Sequence, residues 1–308
     1  MRKKVIIFGG TGQVGSPLVE YLSGLDSIEV HLVSRKRREN ANSLPKVHLH
    51  YFGLDETDKL CSILAQAGIA VFLIGGDNCY DRKEFFSRNV QPLKQFIDAS
   101  HSLVSPPPLI YFSSVYALFP QSLYGASKLE AETLIHDSYR GSWVILRPCW
   151  IISHYDRFCR LIVDGLDKRS FFVLPRTSPF DYIYYKNLAR IISSLIVSKN
   201  FPYNKKTLSI GAGDARDLIG FYKAFAKEKG KRIKILPIPL TPILKLLNLS
   251  FHILGYPCEG TLDKLKSQRF CRVFTDVKFN EEYQFNPTPF EQVAQDIINW
   301  RPQGSNLL

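Results

Sequence analysis

The sequence predicts an α/β fold, a doubly wound parallel sheet with a smaller, mostly helical C-terminal part. Three observations carry this. Short apolar runs alternate with helical patterns over the first half of the 308-residue chain. The first run empties at once into a glycine-rich turn and a helix. After Arg147-Pro148 the alternation gives way to longer helical stretches.

The first strand candidate, Lys4–Phe8, holds the apolar run Val5-Ile6-Ile7-Phe8. Gly9-Gly10-Thr11-Gly12-Gln13-Val14-Gly15 follows, and Ser16-Pro17-Leu18-Val19-Glu20-Tyr21-Leu22 reads as a helix. Gly10, Gly12 and Gly15 satisfy G-x-G-x-x-G, while Gly9, Gly12 and Gly15 satisfy G-x-x-G-x-x-G. A strand that turns on glycines into a helix makes a site for a pyrophosphate. Glycines let backbone approach the phosphates, and the helix start offers free N–H groups and a partial positive charge.

Further strands are predicted at Glu29–Val33, Val47–Phe52, Ala70–Ile74, Leu109–Ser113 and Ser142–Leu146, with helices at Glu84–Ser100 and Ser127–Asp137 between them. Ser105-Pro106-Pro107-Pro108 is a stiff loop before the fifth strand. Beyond residue 148, Ser178–Asp181 reads as a loop, Tyr182–Ser198 as a helix and Thr207–Ile210 as a strand. Leu218–Lys229, Leu240–Leu254 and Pro289–Trp300 read as helices. The predicted division is a nucleotide-binding domain of residues 1–148 plus about 181–210, and a second domain of 149–180 plus about 211–308.

A content of 45% hydrophobic and 22% charged residues is ordinary for a soluble globular chain. No apolar run reaches the roughly 18 residues of a spanning helix. The short stretch after Met1-Arg2-Lys3-Lys4 reads as a strand, not a signal peptide, so a cytoplasmic location is the expectation. The net charge of +12 raises nucleic acid as a partner, but no nucleic-acid motif accompanies the one tight basic run, Arg35-Lys36-Arg37-Arg38. Six scattered cysteines form no C-x-x-C pair, so neither a zinc site nor a disulfide framework is predicted. His48, His50 and His101 show no ligand-like spacing along the chain and read as structural.

Tyr124-Gly125-Ala126-Ser127-Lys128 carries chemistry. Four residues apart on a helix, Tyr124 and Lys128 share a face. A phenol ordinarily ionises near pH ~10. A neighbouring ammonium stabilises the phenolate, so the pair can exchange a proton with a hydroxyl or carbonyl. Ser113 and Ser114 close the fifth strand, at the sheet edge where open α/β sheets bind ligands. Ser114 is the better placed of the two to bond the oxygen that Tyr124 protonates. The second strand ends in Ser34-Arg35-Lys36 with no carboxylate, and an arginine there can clamp a ribose 2′-phosphate.

Together these features resemble the extended branch of the short-chain dehydrogenase/reductase superfamily, over nearly the whole chain. The resemblance implies a Rossmann-type fold with a C-terminal substrate-binding domain. It makes Ser114, Tyr124, Lys128 and the helix asparagine Asn89 the catalytic set. It assigns Gly9, Thr11, Gly12, Gln13, Val14, Gly15, Ser34, Arg35, Asp55, Leu73, Tyr124, Lys128 and Pro148 to the cofactor. The expected cofactor is NADP, with NAD the alternative and no metal. Many relatives carry aspartate where Asn187 precedes Leu188-Ala189 here. The closing segment Phe274 to Trp300 is similar to that of nucleotide-sugar epimerases, dihydroflavonol reductases and 3β-hydroxysteroid dehydrogenase-like enzymes. The expected activity is an oxidoreductase on an alcohol/carbonyl pair. The alternatives are a nucleotide-sugar epimerase or dehydratase with tightly held NAD, and a non-catalytic NADP-binding module. The expected partner is a small molecule, a sugar nucleotide or an apolar alcohol or ketone; the oligomeric state is left open between monomer and homodimer, and many relatives dimerise through the helices that include the tyrosine motif. The Leu/Ile-rich helix Thr241–Leu254 lines a pocket, packs as core or touches a membrane surface. His154, Tyr155, Asp156 and Arg157 are either substrate contacts or a polar loop.

Overall fold

Strands that are apolar at every position need cover on both faces. The computed structural model describes residues 2–12, 14–35, 44, 46–198, 201, 203–242, 244–245 and 286–300, and in it the first-half strands form the middle layer of a three-layer sandwich. Seven strands make up this sheet: β1 (Lys3–Phe8), β2 (Ile28–Ser34), β3 (Val47–Tyr51), β4 (Ile69–Phe72), β5 (Leu109–Phe112), β6 (Trp143–Pro148) and β10 (Lys206–Ile210). Their order is β10-β6-β5-β4-β1-β2-β3, and every pairing is parallel. The order reverses between β1 and β4, which opens a crevice at their carboxyl ends.

Alternation along the strands sends side chains to two cores. Val5 and Ile7 join Val30, Leu32, Val71 and Ile110 beneath α1 (Gly15–Ser23) and α7 (Tyr185–Val197). Ile6 and Phe8 join Phe72, Tyr111 and Ile145 beneath α2 (Thr57–Ala65), α4 (Gln91–Ser100) and α5 (Leu123–Ser138). All six strands expected in the first half and Thr207–Ile210 are present, with ends shifted by one or two residues.

Two expectations need correcting. Glu84–Ser100 is not one helix but α3 (Arg82–Asn89) and α4, broken at Val90. Pro92 has no N–H to give the Arg88 carbonyl, and its ring crowds that group. Tyr182–Ser198 is not helical from its start: β9 (Tyr182–Tyr184) precedes α7 and pairs in parallel with β7 (Trp150–Ile152). A second separate pair joins β8 (Phe171–Pro175) to β11 (Lys234–Ile238). These strands, α6 (Arg157–Lys168), α8 (Leu218–Glu228) and the last described helix, α9 (Phe290–Asn299), surround a separate core around Phe221, Phe225 and Phe290.

Cys61, Cys79, Cys149 and Cys159 form no disulfide among the described residues. Gln13, Lys36–Arg38, Cys258, Cys271, Phe274–Phe285 and most of Leu240–Leu254 lie outside the described residues. Among the described residues no helix is long and apolar enough to cross a membrane.

Candidate active site

The glycine turn joins β1 to α1 with almost no space to spare. Gly9 has φ +82°, a conformation that side chains resist. A Cβ on Gly15 would lie 2.4 Å from both the Gly10 Cα and the Gly9 oxygen. Backbone therefore packs on backbone and seats the start of α1 over the end of β1. The Gly12 N–H donates to the Gly9 carbonyl at 3.2 Å, and the Ser16 N–H to the Gly12 carbonyl at 2.9 Å. No side chain caps α1 at Val14; the Ser16 N–H is held by the Gly12 carbonyl and Pro17 has none to offer. Leu73 follows β4, its N–H bonded to the Phe8 carbonyl at 2.8 Å on the other wall of the switch point.

At the carboxyl end of β5, Ser113 and Ser114 diverge. The buried Ser113 hydroxyl donates to the Glu132 carboxylate. Ser114 turns the other way, accepts the Tyr116 N–H at 3.3 Å and is hydrogen-bonded to the Tyr124 phenol. Ser122 caps α5, its Oγ accepting the Gly125 N–H at 2.9 Å, which fixes where Tyr124 enters the helix. The phenol ring lies against Tyr116 and Phe85. Lys128, one turn further, donates from Nζ to the Phe112 carbonyl at 3.1 Å, with Nζ 5.9 Å from the centre of the Tyr124 ring. Ser114, Tyr124 and Lys128 thus lie close together at the carboxyl end of β5.

Their electrostatics depart from the expectation. Burial, and then the Asp77 carboxylate, push the Tyr124 phenol above its ordinary range, and the Ser114 bond only partly opposes this. Burial also brings the Lys128 ammonium down to about 8, against the pull of Glu132 and Asp77. Desolvation therefore outweighs the mutual stabilisation that spacing suggests.

Asn89, wholly buried at the end of α3, clamps the backbone of Gly76. Its Oδ1 accepts the Gly76 N–H at 2.8 Å, and its Nδ2 donates to the Gly76 carbonyl at 3.0 Å and to Ser127 Oγ at 3.1 Å. It positions the β4–α3 segment beside α5. Pro148 ends β6 and is buried at the same edge of the sheet. Ser34 ends β2 there, the exposed Arg35 follows it, and the exposed Asp55 lies just past β3.

Sequence reasoning missed Glu132. It is buried four residues beyond Lys128 on α5 and takes the Arg147 guanidinium on both oxygens, Nε at 2.9 Å and the terminal nitrogen at 2.5 Å. This ion pair lies directly behind Ser113 and Lys128. The signal was the continued helical spacing Tyr124, Lys128, Glu132, facing a lone arginine on the next strand.

Away from this point, His154 stacks on Trp300 with ring centres 4.8 Å apart, and burial lowers it to about 4. Asp156 caps α6 through the Cys159 N–H at 2.7 Å. Asn187 Oδ1 accepts from Thr288 Oγ1 at 2.9 Å, while its buried Nδ2 has no partner among the described residues.

A family model described as the NAD dependent epimerase/dehydratase family matches residues 5–211. The chain belongs to this family. The match spans the glycine turn, the Ser114–Tyr124–Lys128 cluster and β10. No curated protein matches the chain in sequence. Solved structures of similar fold include a UDP-glucuronic acid 4-epimerase from Bacillus cereus in complex with UDP-glucuronic acid and NAD (16% identity, TM-score 0.76, 96% of this chain and 98% of that one). A UDP-N-acetylglucosamine 4-epimerase from Methanobrevibacter ruminantium, in complex with UDP-N-acetylmuramic acid, is similar at 16% identity and TM-score 0.73 over 97% of this chain and 98% of its own. A dTDP-glucose 4,6-dehydratase from Bacillus anthracis in complex with NAD has 12% identity and TM-score 0.73 over 97% and 96%. At these identities the likeness is one of fold, and it extends through the C-terminal part of this epimerase/dehydratase family member.

Proposed function

We propose that this family member is an NADP-dependent oxidoreductase acting on an alcohol/carbonyl pair. The observation that carries the reading is the convergence of Ser114, Tyr124 and Lys128 at the carboxyl end of β5, across the switch-point crevice from the glycine turn. The crevice suits a dinucleotide. A Cβ at Gly9 or Gly15 would strike backbone, and the α1 N-terminus carries no side-chain cap.

When bound, the cofactor supplies the hydride donor or acceptor. The residues of this chain do the rest. Ser114 holds the substrate oxygen by a hydrogen bond. Tyr124 gives that oxygen a proton as it gains electrons, or takes one in the reverse direction. Lys128, ammonium below about pH 8, holds the nicotinamide ribose and offsets charge on the phenol oxygen. Glu132 and Arg147 fix α5 against β6 so that this geometry persists. Residues 149–180 and 211–308 supply the substrate-binding part.

The absence of a carboxylate at Ser34 and Arg35 supports NADP over NAD, since NAD users commonly hold the ribose 2′-hydroxyl with an acid there. The second reading, a nucleotide-sugar epimerase or dehydratase with tightly bound NAD, is favoured by the family and by the NAD and sugar nucleotide held in the similar structures.

Titration of purified protein with NADPH and NADH, followed by a panel of carbonyl compounds and nucleotide sugars, tests the choice. Tighter NADPH binding, loss of that preference in Arg35→Glu and turnover of a carbonyl are expected. Co-purified NAD with UDP-sugar conversion would establish the second reading instead. Tyr124→Phe is expected to lower kcat by about 100-fold or more while leaving NADPH affinity unchanged.

A further inference from the structure

A second cluster of chemistry-bearing residues lies at the outer edge of the sheet. Glu29 and His31 are two apart on β2, and His48 and His50 two apart on β3, so each pair projects from one face. The register sets His31 opposite His48 and Val33 opposite His50. Glu29 Oε1 is 3.0 Å from His31 Nε2 and 3.1 Å from His48 Nε2. All three ligand atoms lie within 4.8 Å of one another. On the other side of the His31 ring, Nδ1 lies 3.0 Å from His50 Nε2.

We propose that Glu29, His31 and His48 bind one divalent transition-metal ion of the zinc class, with His50 orienting His31. Two imidazoles and a carboxylate are the donor set that borderline metals prefer, whereas magnesium and calcium take oxygen ligands. Metal–ligand bonds of about 2.0–2.2 Å place tetrahedral ligand atoms about 3.3–3.6 Å apart, a few tenths of an ångström more than the two separations from Glu29, which slight side-chain movement supplies. Metal-binding imidazoles hand their second ring nitrogen to a partner that fixes tautomer and orientation, the relation of His31 to His50. Access is available because the His48 side chain is 53% exposed, against 12% for His31. The remaining coordination positions are left to water. The ion would fasten β3, which among the described residues is an edge strand paired with β2 alone, to the rest of the sheet. It lies roughly 10 Å along β2 from Ser34, so its role is to hold the sheet edge and not to act on substrate.

The test is calorimetric titration of the tag-free, full-length chain with zinc chloride, alongside melting curves with and without zinc. One saturable equivalent and a raised melting temperature are expected, with no response to magnesium chloride. His48→Gln and Glu29→Gln should each weaken zinc binding more than tenfold and abolish the thermal shift. His50→Gln should weaken it about tenfold through orientation. His101→Gln, whose ring bonds the Ser138 carbonyl on another element, should bind as the parent does. The absence of saturable zinc binding, or equal affinity in His48→Gln and Glu29→Gln that retain the parent's circular dichroism, would overturn the proposal and leave a hydrogen-bonded cluster only.

Discussion

Lys128 sits where burial and chemistry pull in opposite directions. Its ordinary value of 10.5 falls to about 8 because the ammonium has lost water. Between those two values the unfolded chain binds a proton that the folded chain does not, so stability rises with pH through that window, by at most about 1.4 kcal/mol per pH unit. Below about pH 8 the cost of the buried charge is fully present. Cofactor affinity should run the other way and weaken as pH climbs past about 8. Lys128→Met removes the buried charge, so its melting temperature at pH 7 should equal or exceed the parent's while turnover is lost. Melting curves from pH 7 to 10.5 and NADPH titrations over the same range check both trends. The placement of this residue beside Tyr124 was legible because the two stand at helical spacing in one segment. Its electrostatics were not, since they depend on how thoroughly β5 and α5 exclude water. The cluster around His31 was not legible either, because it arises from the register of two strands that no spacing along the chain reveals.

Among the elements, α5 is held to the sheet by more than its apolar face. Glu132 is buried and bonded to Arg147 on β6, so breaking the pair strands a guanidinium that is itself only 17% exposed. Glu132→Gln is expected to cost about 3 kcal/mol in urea unfolding. It should also lower kcat more than it raises KM, because Ser113 and α5 lose a common anchor. The β1–α1 junction behaves differently. Gly15→Ala forces a methyl against two backbone atoms, which no rotamer change relieves. A loss of about 1–3 kcal/mol is expected, and NADPH binding should weaken with it because the helix start moves off the turn. β1, β4, β5 and β6 were legible because a parallel sheet buries apolar residues with little interruption, while β2 and β3 showed as alternating runs. The break at Val90 was also written in the sequence, through Pro92, but a continuous amphipathic pattern masked it. β9 was lost because Tyr182-Ile183-Tyr184 runs into α7 without a turn residue to separate strand from helix.

At the scale of the whole molecule, the strand order puts every proposed cofactor and catalytic contact among the described residues at one edge of the sheet, around a crevice fixed by topology. That much follows from the alternation of strands and helices. The identity of the second core does not, because β7, β8, β9 and β11 are short and pair only with one another. The position of β10 has a consequence for how the chain is made. Its partner β6 ends at Pro148, yet β10 begins at Lys206, after β7, α6, β8, β9 and α7 have been synthesised. A nascent chain therefore carries β6 as an open, apolar edge until some sixty further residues emerge, and such edges recruit other strands. A fragment ending at residue 198 should associate in light scattering where the full chain does not. The central sheet is therefore complete only after β7, α6, β8, β9 and α7 have been made, while Phe221, Phe225 and Phe290 at the heart of the second core are still to come.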